Sequence, residues 1–123
     1  MHNFMRMACG MLLALAAGTA PAQPYPNKTI RVIVPYPVGG AVDVMTRLIT
    51  NHMAQTLAQP MVIDNRPGAN ANIGPEAAAR SAPDGYTLLA SATFLVVNPL
   101  LETGLRWSPR DFMPVARDRK SVV

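Results

Sequence analysis

The sequence predicts an α/β fold built on a parallel sheet, and three observations carry that prediction. Short apolar, β-branched runs closed by Pro, Gly or Asn turns alternate with segments of helical apolar spacing. Their order is strand, helix, strand, helix, strand, the grammar of parallel βαβ units. Half of the 123 residues are hydrophobic, enough for the core of one small domain, while 12 prolines point to many turns and short elements.

The elements follow in order. Gln23 to Lys28 ("QPYPNK") is an extended, Pro-rich entry. Thr29 to Val34 ("TIRVIV") is β-branched, closed by Pro35, and reads as a buried strand. The loop "PYPVGG" leads to a helix from Ala41 to Leu57, with Val44, Met45, Leu48, Ile49, Met53 and Leu57 on an apolar stripe. Asp43 falls in the first turn, where the helix dipole favours an acid, and Pro60 ends the helical region. "MVID" (Met61 to Asp64) is a second strand and "NRPGANANIG" (Asn65 to Gly74) a turn-rich loop. Pro75 and Glu76 suit the start of a second helix reaching Ala82. After the Pro83–Gly85 turn, "YTLLAS" (Tyr86 to Ser91) is a third strand. "NPLL" (Asn98 to Leu101) reads as a turn entering a short helix, and "SPRDF" has an N-cap Ser108 with Pro109 at the first helical position.

The N-terminus reads as a secretory signal peptide. "MHNFMR" is a short charged region, Met7 to Ala17 an apolar run, and Ala20-Pro21-Ala22 a small-x-small site, so cleavage is expected after Ala22. The apolar run has eleven residues, too few to span a bilayer core of about 30 Å. Cleavage removes Cys9, the only cysteine, so disulfide, Cys-metal and Cys-nucleophile chemistry are excluded from the mature chain. The net charge of +4 comes from scattered Lys and Arg without interleaved aromatics, which describes a solvated surface or a binder of small anions rather than a nucleic-acid face. No cofactor motif is present, and a sequon at Asn27 is a short match only.

Several loop residues are candidates for chemistry. Gly39 and Gly40 sit between a strand end and a helix start. No Gly-Lys-Ser/Thr follows and no G-x-G-x-x-G is formed, so neither nucleotide fingerprint applies. Two readings stay open at this point: backbone N–H groups offered to a phosphate or carboxylate, or a tight turn that needs positive φ. Asp43 is either a ligand contact or a first-turn acid supporting its own helix. Asn70 and Asn72 either line a site or satisfy their own loop backbone. Ser91 and Thr93 follow the third strand, where ligands gather in open α/β sheets. His52 has no acidic or metal-ligating partner nearby in sequence and reads as a partly buried structural residue.

Taken together, "YPNKTIRVIVPYPVGGAVDVMTRLI", "QPMVIDNRPGANANIGPEAAARSAPDGYTLL" and "VNPLL…WSPRDFMPVA" resemble the Bug-type periplasmic solute-binding proteins of tripartite tricarboxylate transport systems. The resemblance covers about Tyr25 to Ala116. It implies a two-domain α/β clamp of the periplasmic-binding-protein kind, of which residues 23–123 would be an incomplete first domain behind a signal peptide at 1–22. It implies no enzyme and no cofactor, but capture of a small organic carboxylate for membrane permease subunits. The grip would come from backbone amides and ordered waters, with the two glycines presenting their N–H groups. Tyr36, Pro37, Gly39, Gly40, Ala41 and Asp43 match the first ligand loop. Ser91, Thr93 and Phe94 match a second contact region, and Asn70 and Asn72 the cleft edge. Three departures stand out: Val38 where the loop usually has a second Pro, Ala71 where it commonly has Gly, and "FLVV" where a polar stretch is usual. The chain is also short for two domains, so the fragment is expected to bind weakly by itself. The competing expectation is a small α/β enzyme or sensor binding a phosphorylated or anionic ligand at Gly39-Gly40.

Overall fold

The computed structural model describes residues 24–115. The signal peptide expected over residues 1–22 and the basic cluster at residues 117–120 lie outside the described residues. Strands β1 (Ile30–Val34), β2 (Met61–Asn65) and β3 (Thr87–Leu89) form one parallel sheet in the order β2-β1-β3. Helix α1 (Ala41–Leu57) joins β1 to β2, and α2 (Ile73–Ala79) joins β2 to β3. Helix α3 (Phe94–Leu101) and a 3₁₀ turn (Pro109–Asp111) follow. The α/β class and the parallel sheet are therefore as the sequence predicts.

The central strand is the core. Ile30, Val32, Ile33 and Val34 are at most 4% exposed, because β1 has a neighbour on each edge and a helix over each face. In register, Val32 stands opposite Ile63 on one side and Leu88 on the other. Asn65 reaches Asp43 and Arg47 of α1 from one face of the sheet. On the opposite face Ile33 lies under Gly74 of α2. A Cβ at Gly74 would sit 2.7 Å from the Pro35 Cβ and 3.1 Å from its Cα, so only glycine lets α2 approach the end of β1 this closely.

Two expectations, those for His52 and for the start of α3, are corrected here, and the side that α1 turns to the sheet is a further finding. The apolar stripe of α1 does not face the sheet: Val44, Met45, Leu48 and Ile49 are 46–62% exposed, while Asp43, Thr46 and Thr50 are buried. The sheet contributes only three strands, and α1 lies over β1 and β2 through its polar side, where Thr46 and Thr50 return their hydroxyls to the carbonyls of Val42 and Arg47. His52 is exposed rather than partly buried. Helix α3 starts at Phe94, four residues before the expected turn at Asn98, and carries Pro99 inside it. Phe94 is drawn inward to 6% exposure by ring contacts with Tyr36 and Trp107, and that burial sets the start of α3.

The ends of the described chain are tied back by aromatic groups. Tyr25 stacks edge-on against Tyr86 at 5.0 Å and donates its hydroxyl to the Gly85 carbonyl at 2.7 Å. Trp107 is 5% exposed, packed edge-on between Phe94 and Phe112. The N-cap expected at Ser108 is formed, and it is part of a capping box: its hydroxyl accepts from Arg110 N–H, and Asp111 accepts from the Ser108 N–H at 2.7 Å.

Candidate functional site

Because all three strands are parallel, the loops after β1, β2 and β3 leave from the same carboxyl edge. The chain runs from β1 to its neighbour on one side and then crosses to the other, so the direction of strand order reverses at β1. Such a switch point opens a crevice at the carboxyl ends of the strands. The three loops are joined across this edge. Tyr36 meets Phe94 edge-on at 6.0 Å, the Asn65 amide donates to the Tyr36 carbonyl at 3.0 Å, and the Asn98 amide donates to the Asn70 carbonyl at 2.8 Å. The expected site residues Tyr36, Pro37, Gly39, Gly40, Ala41, Asn70, Asn72, Ser91 and Thr93 all belong to this edge, and Ser91 and Thr93 are exposed there.

The first loop is a turn held from below. Gly39 has φ +84°, a left-handed conformation that glycine adopts without penalty, and Gly40 is the N-cap of α1. The N–H groups of the two glycines were expected to face a ligand, and they do not. Gly39 N–H donates to the Asp43 carboxylate at 2.9 Å and Gly40 N–H to the Pro37 carbonyl at 3.3 Å. Ala41, Val42 and Asp43 open α1 with N–H groups that have no intrahelical acceptor, the first helical bond being from Val44 N–H to the Gly40 carbonyl. Both readings of the double glycine thus hold in part: it is a positive-φ turn, and it delivers a helix N-terminus to the carboxyl edge.

Asp43, open between ligand contact and support of its own helix and put in the ligand loop by the resemblance, has its contacts in the supporting role. Its side chain is 1% exposed. One oxygen accepts from Gly39 N–H and from Arg47 Nε at 2.9 Å each, and the other from Asn65 Nδ2 at 2.8 Å. The hydrogen bond from Arg47, the Gly39 N–H and the Asn65 amide hold the carboxyl far below the usual carboxylate range, outweighing the cost of burial. Buried and with three partners inside the chain, this carboxylate is turned to the loop and to Asn65 rather than to solvent. Asn65 was placed by sequence at the loop start, and no local pattern marks it as a partner of Asp43, 22 residues earlier.

The second loop is the strained part of the edge. Ala69, Asn70 and Ala71 have φ of +48°, +53° and +63° in succession. Non-glycine residues pay roughly 1–2 kcal/mol each for this region, so three in a row need external support. Glu102 supplies it: Asn70 Nδ2 and Asn72 Nδ2 each donate to one of its carboxylate oxygens at 2.7 Å. Asn98 and Trp107 complete the bracket, donating to the Asn72 carbonyl oxygen Oδ1 at 2.9 and 3.1 Å. The Asn70 and Asn72 amides therefore shape the edge from within rather than standing open. Glu102, Asn98 and Trp107 lie 26–35 residues beyond their partners and carry no sequence signal for this role. Replacing Ala71 with Gly, the residue its φ calls for, is expected to stabilise the protein by about 0.5–1 kcal/mol, strain relief less the added freedom of the unfolded chain. Equilibrium urea unfolding checks it, and an unchanged or lowered midpoint would contradict the strain assignment.

A groove of about 510 Å³ lies on the α2 face, bordered by Arg31, Arg66 and Arg80. Its guanidinium groups are already engaged, with Ser81 and Asp64 for Arg31, Asp64 for Arg66 and Glu76 for Arg80. Among the described residues no group of three or more His, Cys, Asp or Glu side chains is placed to hold a metal ion.

Residues 45–122, more than half of the chain, match the model of the tripartite tricarboxylate transporter family receptor. The chain belongs to that receptor family. It is 43% identical over 108 residues to a UPF0065 protein of Bordetella bronchiseptica, an overlap of 86% of this chain and 32% of that protein. A solved periplasmic transporter superposes with a TM-score of 0.67 at 48% identity, over 70% of this chain and 29% of the other. MatC of Rhodopseudomonas palustris, solved with bound malate, superposes with a TM-score of 0.65 at 37% identity, over 74% of this chain and 32% of MatC. The chain thus spans about a third of the length of the relatives it matches. The parallel sheet is accordingly part of a periplasmic-binding-protein domain, and the family is one of receptors rather than enzymes.

Proposed function

We propose that this chain forms one wall of an extracytoplasmic receptor cleft that captures a small organic carboxylate and passes it to membrane permease subunits of a tripartite transporter. Residues 1–22 would direct export to the periplasm and be removed, and residues 23–123 would contribute part of the first domain. The role is capture without catalysis. The observation that carries this reading is the start of α1 at the carboxyl edge, where the opening N–H groups of the helix lack helical acceptors, on the same edge from which the loop with Ser91 and Thr93 leaves. Aligned N–H dipoles at a helix start favour an anionic group, and the exposed hydroxyls add neutral donors. The backbone of Tyr36, Pro37, Gly39 and Gly40 sets the shape of the pocket floor, and Asn70 and Asn72 set its rim. Malate bound to MatC supports a carboxylic acid as the class of ligand.

The test is a titration of the ¹⁵N-labelled protein with malate, succinate and inorganic phosphate, read by amide shifts. Dicarboxylates are expected to move the Ala41, Val42 and Ser91 amides in a saturable way, with weak affinity because one wall alone buries little of the ligand. Shifts with phosphate only, or none at these amides with either dicarboxylate, would overturn the proposal.

A further inference from the structure

The geometry points to Asp43, with Asn65 and Arg47, as a positioning unit that holds the first loop in the shape a ligand meets, without touching the ligand. This inference rests on the carboxylate-capture reading for its consequence, and on the contacts alone for its structural content. Three elements meet at one buried carboxylate. The loop contributes Gly39 N–H, α1 contributes Arg47 Nε, and the last residue of β2 contributes Asn65 Nδ2. The same Asn65 amide donates to the Tyr36 carbonyl at 3.0 Å, and its Oδ1 accepts from Arg47 Nη2 at 3.1 Å. The loop is therefore fastened at both ends, at Tyr36 and at Gly39, to a single Asp–Asn pair.

The chemistry explains why an acid is needed here. A helix that begins at Gly40 has no side-chain cap of its own. Asp43 accepts instead from the N–H one residue before the cap, which draws Gly39 inward in its left-handed turn and leaves the N–H groups of Ala41, Val42 and Asp43, which have no intrahelical acceptor, at the helix start. Without that acceptor, the Gly39 N–H is an orphan donor and the glycine pair is free to sample other turns. A site whose competent loop shape is populated only part of the time loses apparent affinity by that fraction. Asn65 is suited to the central place because its amide supplies donors to Asp43 and Tyr36 while its oxygen takes Arg47.

The experiment reads the loop and the ligand separately in the full chain. Hydrogen exchange of the Gly39 amide reports the loop, and malate-induced shifts report binding. Asp43→Asn and Asn65→Ala are compared with the wild type, and the double variant Asp43→Asn with Asn65→Asp, which exchanges the two side chains, serves as rescue. In the double variant the carboxamide oxygen at position 43 can accept from Gly39. Its amide can donate to the carboxylate at position 65, which keeps Arg47 paired. The wild-type Gly39 amide is expected to exchange slowly. Asp43→Asn, whose carboxamide sets an N–H₂ against the Asn65 amide or against Gly39 N–H, loses at least about tenfold in protection, and Asn65→Ala, which keeps the Gly39 acceptor and releases the Tyr36 end, loses less. Malate affinity should fall by about tenfold, the value for a competent loop populated one tenth of the time. The double variant should recover Gly39 protection but only part of the affinity, because the Tyr36 carbonyl loses its donor and faces a carboxylate oxygen instead. Unchanged Gly39 protection in Asp43→Asn overturns the inference, as does lost protection with malate affinity kept within twofold. Should the wild type show no malate shifts at all, carboxylate capture fails, while the positioning unit still stands or falls on Gly39 protection. If Asp43→Asn fails to fold, Asn65→Ala tests the Tyr36 end of the loop, and malate affinity kept within twofold of the wild type overturns the inference.

Discussion

Trp107→Ala is expected to lower the unfolding free energy by about 3–5 kcal/mol, the usual range for emptying a buried aromatic site. Trp107 is 5% exposed and packs edge-on against Phe94 at 6.3 Å and Phe112 at 6.0 Å. Phe94 in turn meets Tyr36. Removing the indole thus unseats a row of four rings that runs from the 3₁₀ turn to the first loop. Its N–H also fixes Asn72 from the outside of the strained second loop, at 3.1 Å from the carboxamide oxygen. Trp107→Phe keeps most of the packing and loses only the N–H donor, so it should cost about 1–2 kcal/mol. Urea unfolding monitored by far-ultraviolet circular dichroism measures both. A Trp107→Ala loss below about 1 kcal/mol would show that the ring row does not hold the edge together.

The second large effect is expected at the centre of the sheet. Ile33→Ala should cost about 2–5 kcal/mol, and Ile33→Val about 0.5–1.5 kcal/mol. Ile33 is completely buried, and its Cγ2 lies 3.4 Å from the position a Gly74 Cβ would take, so truncation opens a cavity directly under α2. Both flanking strands are paired to β1, so neither can move inward to fill it without breaking a ladder. The Ile33 carbonyl also accepts from Ala90 N–H at 2.9 Å, where the third loop begins. The loss should therefore appear in the Ser91 and Thr93 amide shifts as well as in stability. An Ile33→Ala variant as stable as Ile33→Val would mean that α2 collapses onto the sheet freely, contrary to the close Gly74–Pro35 approach.

These two positions show what could be read in advance. "TIRVIV" closed by Pro35 was legible as a buried strand because five consecutive residues carry enough β-branched and apolar character to settle the matter locally. The parallel topology was legible for the same reason, since alternation of strand and helix restricts the connections available. Turns were legible where the backbone demands a particular residue, as at Gly39 with φ +84° and Gly85 with φ +79°. The family resemblance was legible from the order of loops, each modest alone.

The orientation of α1 was not legible. Its apolar stripe obeys helical spacing, yet the side turned to the sheet is the one with Asp43, Thr46 and Thr50. Periodicity states that a helix has two faces, and it does not state which partner each face meets. The site was undecided in a related way. Sequence left open whether Gly39, Gly40 and Asp43 meet a ligand or support their own turn and helix, and only the resemblance put all three in the first ligand loop. The fold turns the glycine N–H groups inward and seals the carboxylate beneath them, leaving the start of α1 at the edge.

The amino-acid order determined the elements, the parallel sheet and the loops that would share an edge, because those follow from local propensity and short-range pattern. The tertiary structure alone decided which polar groups face inward. Asp43 with Asn65, Asn72 with Trp107 and Asn70 with Glu102 are separated by 22, 35 and 32 residues. A hydrogen bond depends on distance and angle in space, so the partner of a buried polar group becomes visible only when the chain has closed around it.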